Sequence, residues 1–315
     1  MANEEAVYDG STMGTAIGDL RIGEALSAEF LLLLADRNSL PQHGALVYAG
    51  NAGGSGSATI RLSHIGLQGY NLLASTADGV AVSNTVITDG STDVTVSRYA
   101  KSYEASDLAR LTGSNGLISP DAFAADAMAS YSATLTSLVA NLVDNFSSTV
   151  GTSTSNFTVT NWLDAITTLE VAKVDSASGY MAILHPVQYG DLRSALATSS
   201  TGALQWSDST QEQMVIKGGG YKGQFMGVDV FVSSHVPTAN SGQDRAGGMF
   251  GRGAIVWADA TVPAVADTTS LNIGGKVLFE QDRTAKSGLT AYVSSAFLGA
   301  SEGIDACGVS IITDA

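Results

Sequence analysis

The chain has 315 residues, 44% of them hydrophobic, which is enough for a large core and too apolar for an intrinsically disordered protein. Lys and Arg number 15 against 30 Asp and Glu, a formal net charge of −15, and no Lys or Arg falls between Arg110 and Lys173; no basic stripe of the kind that grips nucleic acid is present. Charged residues make up only 14%, against about 25% in ordinary globular proteins, which predicts a surface partly covered by partners.

Residues 1–21 have little periodicity and read as an extended arm. Their opening, MANEEAVYDG, is acidic where a secretion signal is basic. The apolar run Phe30–Ala35 is too short to span a membrane. From Ile22 to Asp36 the spacing Ile22, Leu26, Phe30, Leu33, Leu34 makes one helical stripe, ended by the stretch around Pro41. Residues 45–107 change character. AGNAGGSGS is a flexible lead-in, ATIRLSHIG alternates as a strand, and NTVITDGSTDVTVSRYAKSYEASDLA reads as strand with a turn signal at Asp89-Gly90. The pair predicts a long, two-stranded ribbon, which is marginal alone in water and needs a surface to lie on.

SPDAFAADAMASYSATLTSLVANLVDNFSSTVG predicts one continuous helix over 119–150. Ser119 is the N-cap, Pro120 takes the first helical position, and Gly151 closes it. Its stripe is Phe123, Ala127, Tyr131, Leu135, Leu138, Leu142 and Phe146, and thirty helical residues would span about 45 Å. NWLDAITTLEVAKVD predicts a shorter helix through Trp162, Ile166 and Leu169. YMAILHPVQYGDLRSAL reads as strand, then a helix opened by Pro186. Residues 197–220 read as loop, GVDVFVSS as a strand closed by Pro237, TANSGQDRAGG as loop, and GRGAIVWADATVP as a strand closed by Pro263. Three strand-like runs follow in the tail.

Chemistry-bearing motifs fail on context. Gly218, Gly220 and Gly223 spell a dinucleotide fingerprint, but a strand follows where the pyrophosphate needs a helix N-terminus. Gly299, Ser301 and Gly303 spell a nucleophile elbow, but the run goes strand to turn to strand. His43, His64, His185 and His235 share no metal-ligand spacing, and His185 before Pro186 reads as a helix-start residue. The one cysteine, Cys307, forms no internal disulfide, fits a reducing compartment and reads as a small core residue. Glu4-Glu5 lie in the arm, unsupported. No catalytic residue, metal site or cofactor is expected.

The order of parts resembles the major capsid proteins of tailed double-stranded-DNA bacteriophages, the Hong Kong 97-type fold that encapsulin shells also use. GSGSATIRLSHIG with the stretch from Asn84 is similar to that family's extended loop, SPDAFAADAMASYSATLTSLVANLVDNF to its spine helix, YMAILHPVQYGDLRSAL and YKGQFMGVDVFVSSHVP to its axial domain, and FEQDRTAKSGLTAYVSSAFLGA with GVSII to its closing peripheral strands. The resemblance implies an α+β phage capsid fold: an N-terminal arm over 1–44, an extended β-ribbon loop over 45–100, a peripheral domain with spine helix over 101–160, an axial domain over 161–270, and C-terminal peripheral strands over 271–315. It implies a structural subunit, not an enzyme, that self-assembles through hexamers and pentamers into an icosahedral head around the DNA genome. The subunit would touch DNA without sequence specificity and engage no membrane. It would sit in the virion after synthesis in the host bacterial cytoplasm. The arm starts at once, without the charged helical scaffolding segment some members carry, so the resemblance implies a separate scaffolding protein or none, with a portal as a further partner and a shell held by non-covalent contacts, by interlocked arms or by an added decoration protein. Some members cross-link a loop lysine to a neighbour's asparagine; residues 42–100 hold no lysine here, so a non-covalent shell is expected. The alternatives are an encapsulin-like compartment and, from another class, a serine hydrolase using Ser301.

Overall fold

The computed structural model describes residues 40, 43–66, 77–79, 81, 88–112, 120–198, 206–217, 219–261, 270–273 and 276–314. The expected arm and the helix over Ile22–Asp36 lie outside them, as do Ser119, Gly218 and Glu4-Glu5. In chain order the elements are β1 (Leu46–Asn51), β2 (Thr59–Gly66), β3 (Thr88–Thr95), β4 (Ser97–Ser106), α1 (Asp107–Thr112), α2 (Pro120–Ala140), β5 (Thr149–Val150), α3 (Val159–Val171), β6 (Tyr180–Leu184), α4 (Pro186–Thr198), β7 (Trp206–Asp208), α5 (Gln211–Lys217), β8 (Tyr221–Phe225), β9 (Val228–Val232), β10 (Thr238–Ala239), β11 (Asp244–Phe250), β12 (Ile255–Asp259), β13 (Ser270–Ile273), β14 (Val277–Thr284), β15 (Leu289–Glu302) and β16 (Gly308–Asp314). They build an α+β fold of two sheets and a ribbon. One sheet runs β1-β12-β15-β14-β13, with β4 also paired to β15; the other runs β5-β16-β11-β6-β9-β8-β7, with β10 on β11; β2 and β3 pair only with each other.

The eight-stranded sheet is buried on both faces, so its inner strands are apolar runs rather than alternating ones. Tyr180, Ala182, Leu184, Val228 and Val230 face α3 and α4, while Met181, Ile183 and Phe231 face the end of α2 and the starts of β1 and β12. Helix α3 begins one turn earlier than the tryptophan signals, because Thr158 caps it: the Asn161 N–H donates to Thr158 Oγ1 at 3.2 Å, and the Thr158 N–H donates back to Asn161 Oδ1 at 3.2 Å. Trp162, Ala165 and Leu169 then enter the core.

Helix α2 is shorter than expected. It stops at Ala140, and the stripe continues in a tightened turn where the N–H groups of Leu142, Val143 and Asn145 donate three residues back. Asn141, Asp144 and Asn145 are poor helix formers. The freed carbonyls of Val143 and Phe146 accept from the buried Ser310 hydroxyl, at 2.7 and 3.3 Å. Phe146 stays buried because it lies on Gly308, where any Cβ would strike its ring. Gly151 does not cap the helix; it follows β5 at φ +91°, pressed on the Ile312 carbonyl.

Other expectations change as well. Asp89-Gly90 is not a turn: both residues sit inside β3, opposite Ile65 and His64 in an unbroken eight-pair register. A turn is found instead at Asp78-Gly79, where glycine takes φ +81°. The 197–220 stretch contains β7 and α5, and TANSGQDRAGG contributes β10 and most of β11, because strand pairing overrides weak local propensity. Met226 and Gly227, at φ 51° and 81°, make the two-residue hairpin that joins β8 to β9. The three tail runs do not stay in one sheet. β14 and β15 pair with each other, but β16 crosses over to lie between β11 and β5; β1, assigned to the loop, pairs in parallel with β12.

Candidate functional site

The ribbon does not hang free at its base. Its inward residues Ile60, Leu62 and Val94, with Val96, pack on Val256, Ala258, Val47, Ala49 and Phe297 of the six-stranded sheet, leaving Val94 fully buried. That is the face opposite α2, since Ile255 and Trp257, which alternate with Val256 and Ala258, point the other way. The outward face is polar. Arg61 holds Asp93 in a two-bond fork, both at 2.8 Å, and the Thr59 and Thr95 hydroxyls meet at 3.1 Å. The Val96 N–H donates to the Ala58 carbonyl at 2.8 Å and closes the root.

Two buried carboxylates tie distant segments together. Asp229, on β9, accepts from His43 Nε2 at 2.7 Å, Lys217 Nζ at 2.7 Å and the Tyr221 hydroxyl at 3.2 Å. The Ala45 N–H donates to His43 Nδ1 at 3.0 Å, so that nitrogen is the acceptor and Nε2 carries the proton toward Asp229. Burial pushes the Asp229 carboxyl up, but the hydrogen bonds from His43 and Lys217 and their charge outweigh it and leave its pKa below the ordinary carboxylate value. Burial, then Asp229 itself, pushes the Tyr221 hydroxyl up to about 12. The cluster pins the segment entering β1 to the other sheet. A cavity of about 320 Å³ opens beside it, lined by His43, Gly44, Ser178, Ile216, Lys217 and Asp229. The second carboxylate, Asp259, is 1% exposed and accepts from the Tyr48 hydroxyl at 2.8 Å and from Lys276. Burial and that contact push Tyr48 up to about 12. Every polar partner in both clusters is spent on another part of the same chain, so they act as rivets rather than as reactive groups.

The sheets are joined by two connections that run side by side. Gly303 N–H donates to Ala254 O at 2.7 Å, Ile304 N–H to Gly253 O at 2.8 Å, and Gly251 N–H to Cys307 O at 3.0 Å. Asp305 Oδ1 accepts from the Ser147 N–H at 2.8 Å, which holds its pKa down, while burial and Asp305 push the Glu302 carboxyl up.

The spelled motifs resolve into packing. Gly223, at φ +118°, lies in β8 against the Ser207 carbonyl, and a hairpin, not a helix, follows. Ser301 lies in β15 with its hydroxyl donating to the Glu302 carbonyl at 3.3 Å. His185 sits at the start of α4, its Nδ1 accepting the Val187 N–H at 3.2 Å; burial, with Arg245 nearby, lowers its pKa. Burial raises the Cys307 thiol, away from the reactive thiolate. Among the described residues no group of three or more His, Cys, Asp or Glu is placed to hold a metal ion, and no helix is long and apolar enough to cross a membrane.

Residues 85–300, more than two-thirds of the chain, match the sequence profile of the phage capsid protein family. The chain belongs to that family. The capsid protein is a structural shell subunit of the phage head, and its place is the virion. Its fold is similar to solved phage shells: the capsid of Ralstonia phage GP4, at 14% identity and a TM-score of 0.60 over 97% of this chain and 98% of that one; the capsid of cyanophage P-SCSP1u, at 12% and 0.59 over 99% and 98%; and a chain of Mycobacterium phage Che8, at 16% and 0.54 over 82% and 85%. No curated protein matches the capsid protein. Sequence reasoning reached the family but not the rivets: a lone Asp inside a valine run (Asp229) is their only linear trace.

Proposed function

We propose that copies of this chain assemble through hexamers and pentamers into an icosahedral head that encloses double-stranded DNA, and that the chain carries out no catalysis. The observation that supports this best is the family match across 85–300 together with the ribbon, which leaves the six-stranded sheet from a well-packed root and carries a polar outer face. The eight-stranded sheet with α3, α4 and α5 is the axial unit in this reading, and the six-stranded sheet with α2 is the peripheral one. A net charge of −15 suits a wall that neither grips DNA nor reads its sequence, letting it slide during filling and release. Synthesis belongs to the host bacterial cytoplasm, in keeping with a single, half-buried cysteine. A separate scaffolding protein, a portal and a decoration protein are the natural partners of such a shell. Electron microscopy of particles from cells making the chain tests this: closed shells filled with nucleic acid support it, particles loaded with a cargo enzyme turn it toward a nanocompartment, and material that sediments only as a 32.2 kDa monomer refutes it.

A further inference from the structure

The run Gly299, Ser301, Gly303 has an explanation unconnected with a nucleophile. Gly299 lies opposite Ala258 in the β12–β15 register, on the sheet face that the ribbon covers. Residues 301 and 303 follow at two-residue steps on that same face. A Cβ at Gly299 would overlap the Thr95 carbonyl oxygen and lie 2.9 Å from its carbon and 3.2 Å from Val96 Cα, the point where the ribbon turns into β4. A Cβ at Gly303 would overlap the Gly253 carbonyl oxygen and lie 3.1 Å from Val256 Cγ2, at the point where both connections cross between the sheets. Neither glycine has a positive φ, so the backbone conformation does not call for glycine; close approach of another backbone does. Ser301, between them, pairs with Val256 and already carries a Cβ there. Leu298, the preceding residue of β15, pairs with Ser97 on one edge and with Asp259 on the other, where β14, last paired at Ala296, gives way to β12. Beyond Ser97 the chain leaves the β4 edge and crosses the face of β15 over Gly299 to reach Val256 and Ala258 of β12.

We propose that Gly299, in β15, and Gly303, just past its end, are positioning residues: they set the angle at which the ribbon leaves the subunit and the angle at which the two sheets meet, and through these the geometry of the shell. The proposal rests on the shell-forming reading above. Gly303 follows β15 directly and its N–H still donates to Ala254, so the two contact points, about 13 Å apart, move as one body. The ribbon amplifies what happens at its root. β2 alone is 8 residues, roughly 26 Å, so a tilt of about 10° at Gly299 carries its far end about 4–5 Å. A displacement of that size takes a projecting element out of register with whatever copy it meets, while the subunit's own cores, on other faces, stay intact.

The test uses the full-length chain with Gly299→Ala, Gly303→Ala and Ser301→Ala. Hydrogen exchange is read on dissociated subunits, and shell yield and diameter are read by electron microscopy. Overpacking strain predicts that Gly299→Ala speeds exchange by about 5- to 150-fold at residues 58–62 and 92–96, with β6, β9 and β11 unchanged. Gly303→Ala speeds it at 251–255 and leaves the ribbon root protected. Both variants give no shells or shells of altered diameter, and Ser301→Ala matches wild type in both readouts. Shells of wild-type size and yield from Gly299→Ala overturn the proposal, as does protection lost evenly through both sheets, which would make the glycines general packing positions. Should wild type itself form no shells, the shell-forming reading fails, whereas the exchange pattern still decides whether each glycine governs its own junction.

Discussion

Replacing Asp229 with alanine removes one acceptor shared by three donors. His43, with 7% of its side chain exposed, and Tyr221, 2% exposed, lose their shared acceptor, so the N–H and O–H are each stranded at a cost of about 1–3 kcal/mol, at the low end for His43, which borders the cavity. Lys217 is about a third exposed and turns outward, so its ion pair adds little. The sum is about 2–6 kcal/mol, the same size as breaking a buried ion pair by deleting one partner. Denaturant unfolding of dissociated subunits measures it. The pH dependence has a definite sign. Because the Asp229 pKa lies below its unfolded value, the cluster's contribution is present in full above the ordinary carboxylate range and is lost as pH falls through the folded pKa. The gap between wild type and Asp229→Ala should therefore be widest near neutrality and close below about pH 4. An Asp229→Ala subunit within about 1 kcal/mol of wild type at neutral pH, or a gap that widens in acid, refutes the reasoning.

Gly308→Ala should lose about 1–3 kcal/mol through collision with the Phe146 ring, and Phe146→Leu in the same chain should restore part of it; purely additive losses in the unfolding curves would break that link. Val139→Asp, at a fully buried position of α2, should abolish soluble subunit, whereas Leu138→Asp, at a half-buried one, should be milder; normal shell yield from Val139→Asp would contradict the packing of α2. Mature particles boiled in detergent with reductant should run as one band near 32.2 kDa, because residues 42–100 contain no lysine and Lys101 is paired with Asp126 at 2.8 Å beside its own sheet; a ladder of covalent oligomers would count against this.

The elements legible in the sequence were those whose periodicity and punctuation agree. Pro120 and Pro186 open α2 and α4, and Val228, Val230 and Val232 mark β9. Periodicity reports which residues face a core; it does not report backbone hydrogen bonding. The apolar stripe of α2 therefore continues through Leu142 and Phe146, although the helix itself has ended. Phe146 is needed on Gly308 and the carbonyls of Val143 and Phe146 are claimed by Ser310, more than 160 residues away. The same limit hid β11: DRAGG has poor strand propensity and is held by neighbours on both sides. Alternation puts Asp229 on the strand face opposite Val228, Val230 and Val232 and says nothing of whether that face is buried. Its burial depends on His43 and Lys217 converging on it, and no local pattern encodes that convergence.

The position of β16 also bears on how the chain folds as it is made. β16 lies between β11, about 60 residues earlier, and β5, about 160 residues earlier. Until the ribosome has produced residues 308–314, β5 has no neighbour in the sheet and one edge of β11 stays open. Pairing over such separations is slow, because loop-closure entropy is spent before any contact repays it. A nascent chain of this protein therefore lacks a finished eight-stranded sheet until translation is well past the other strands of that sheet.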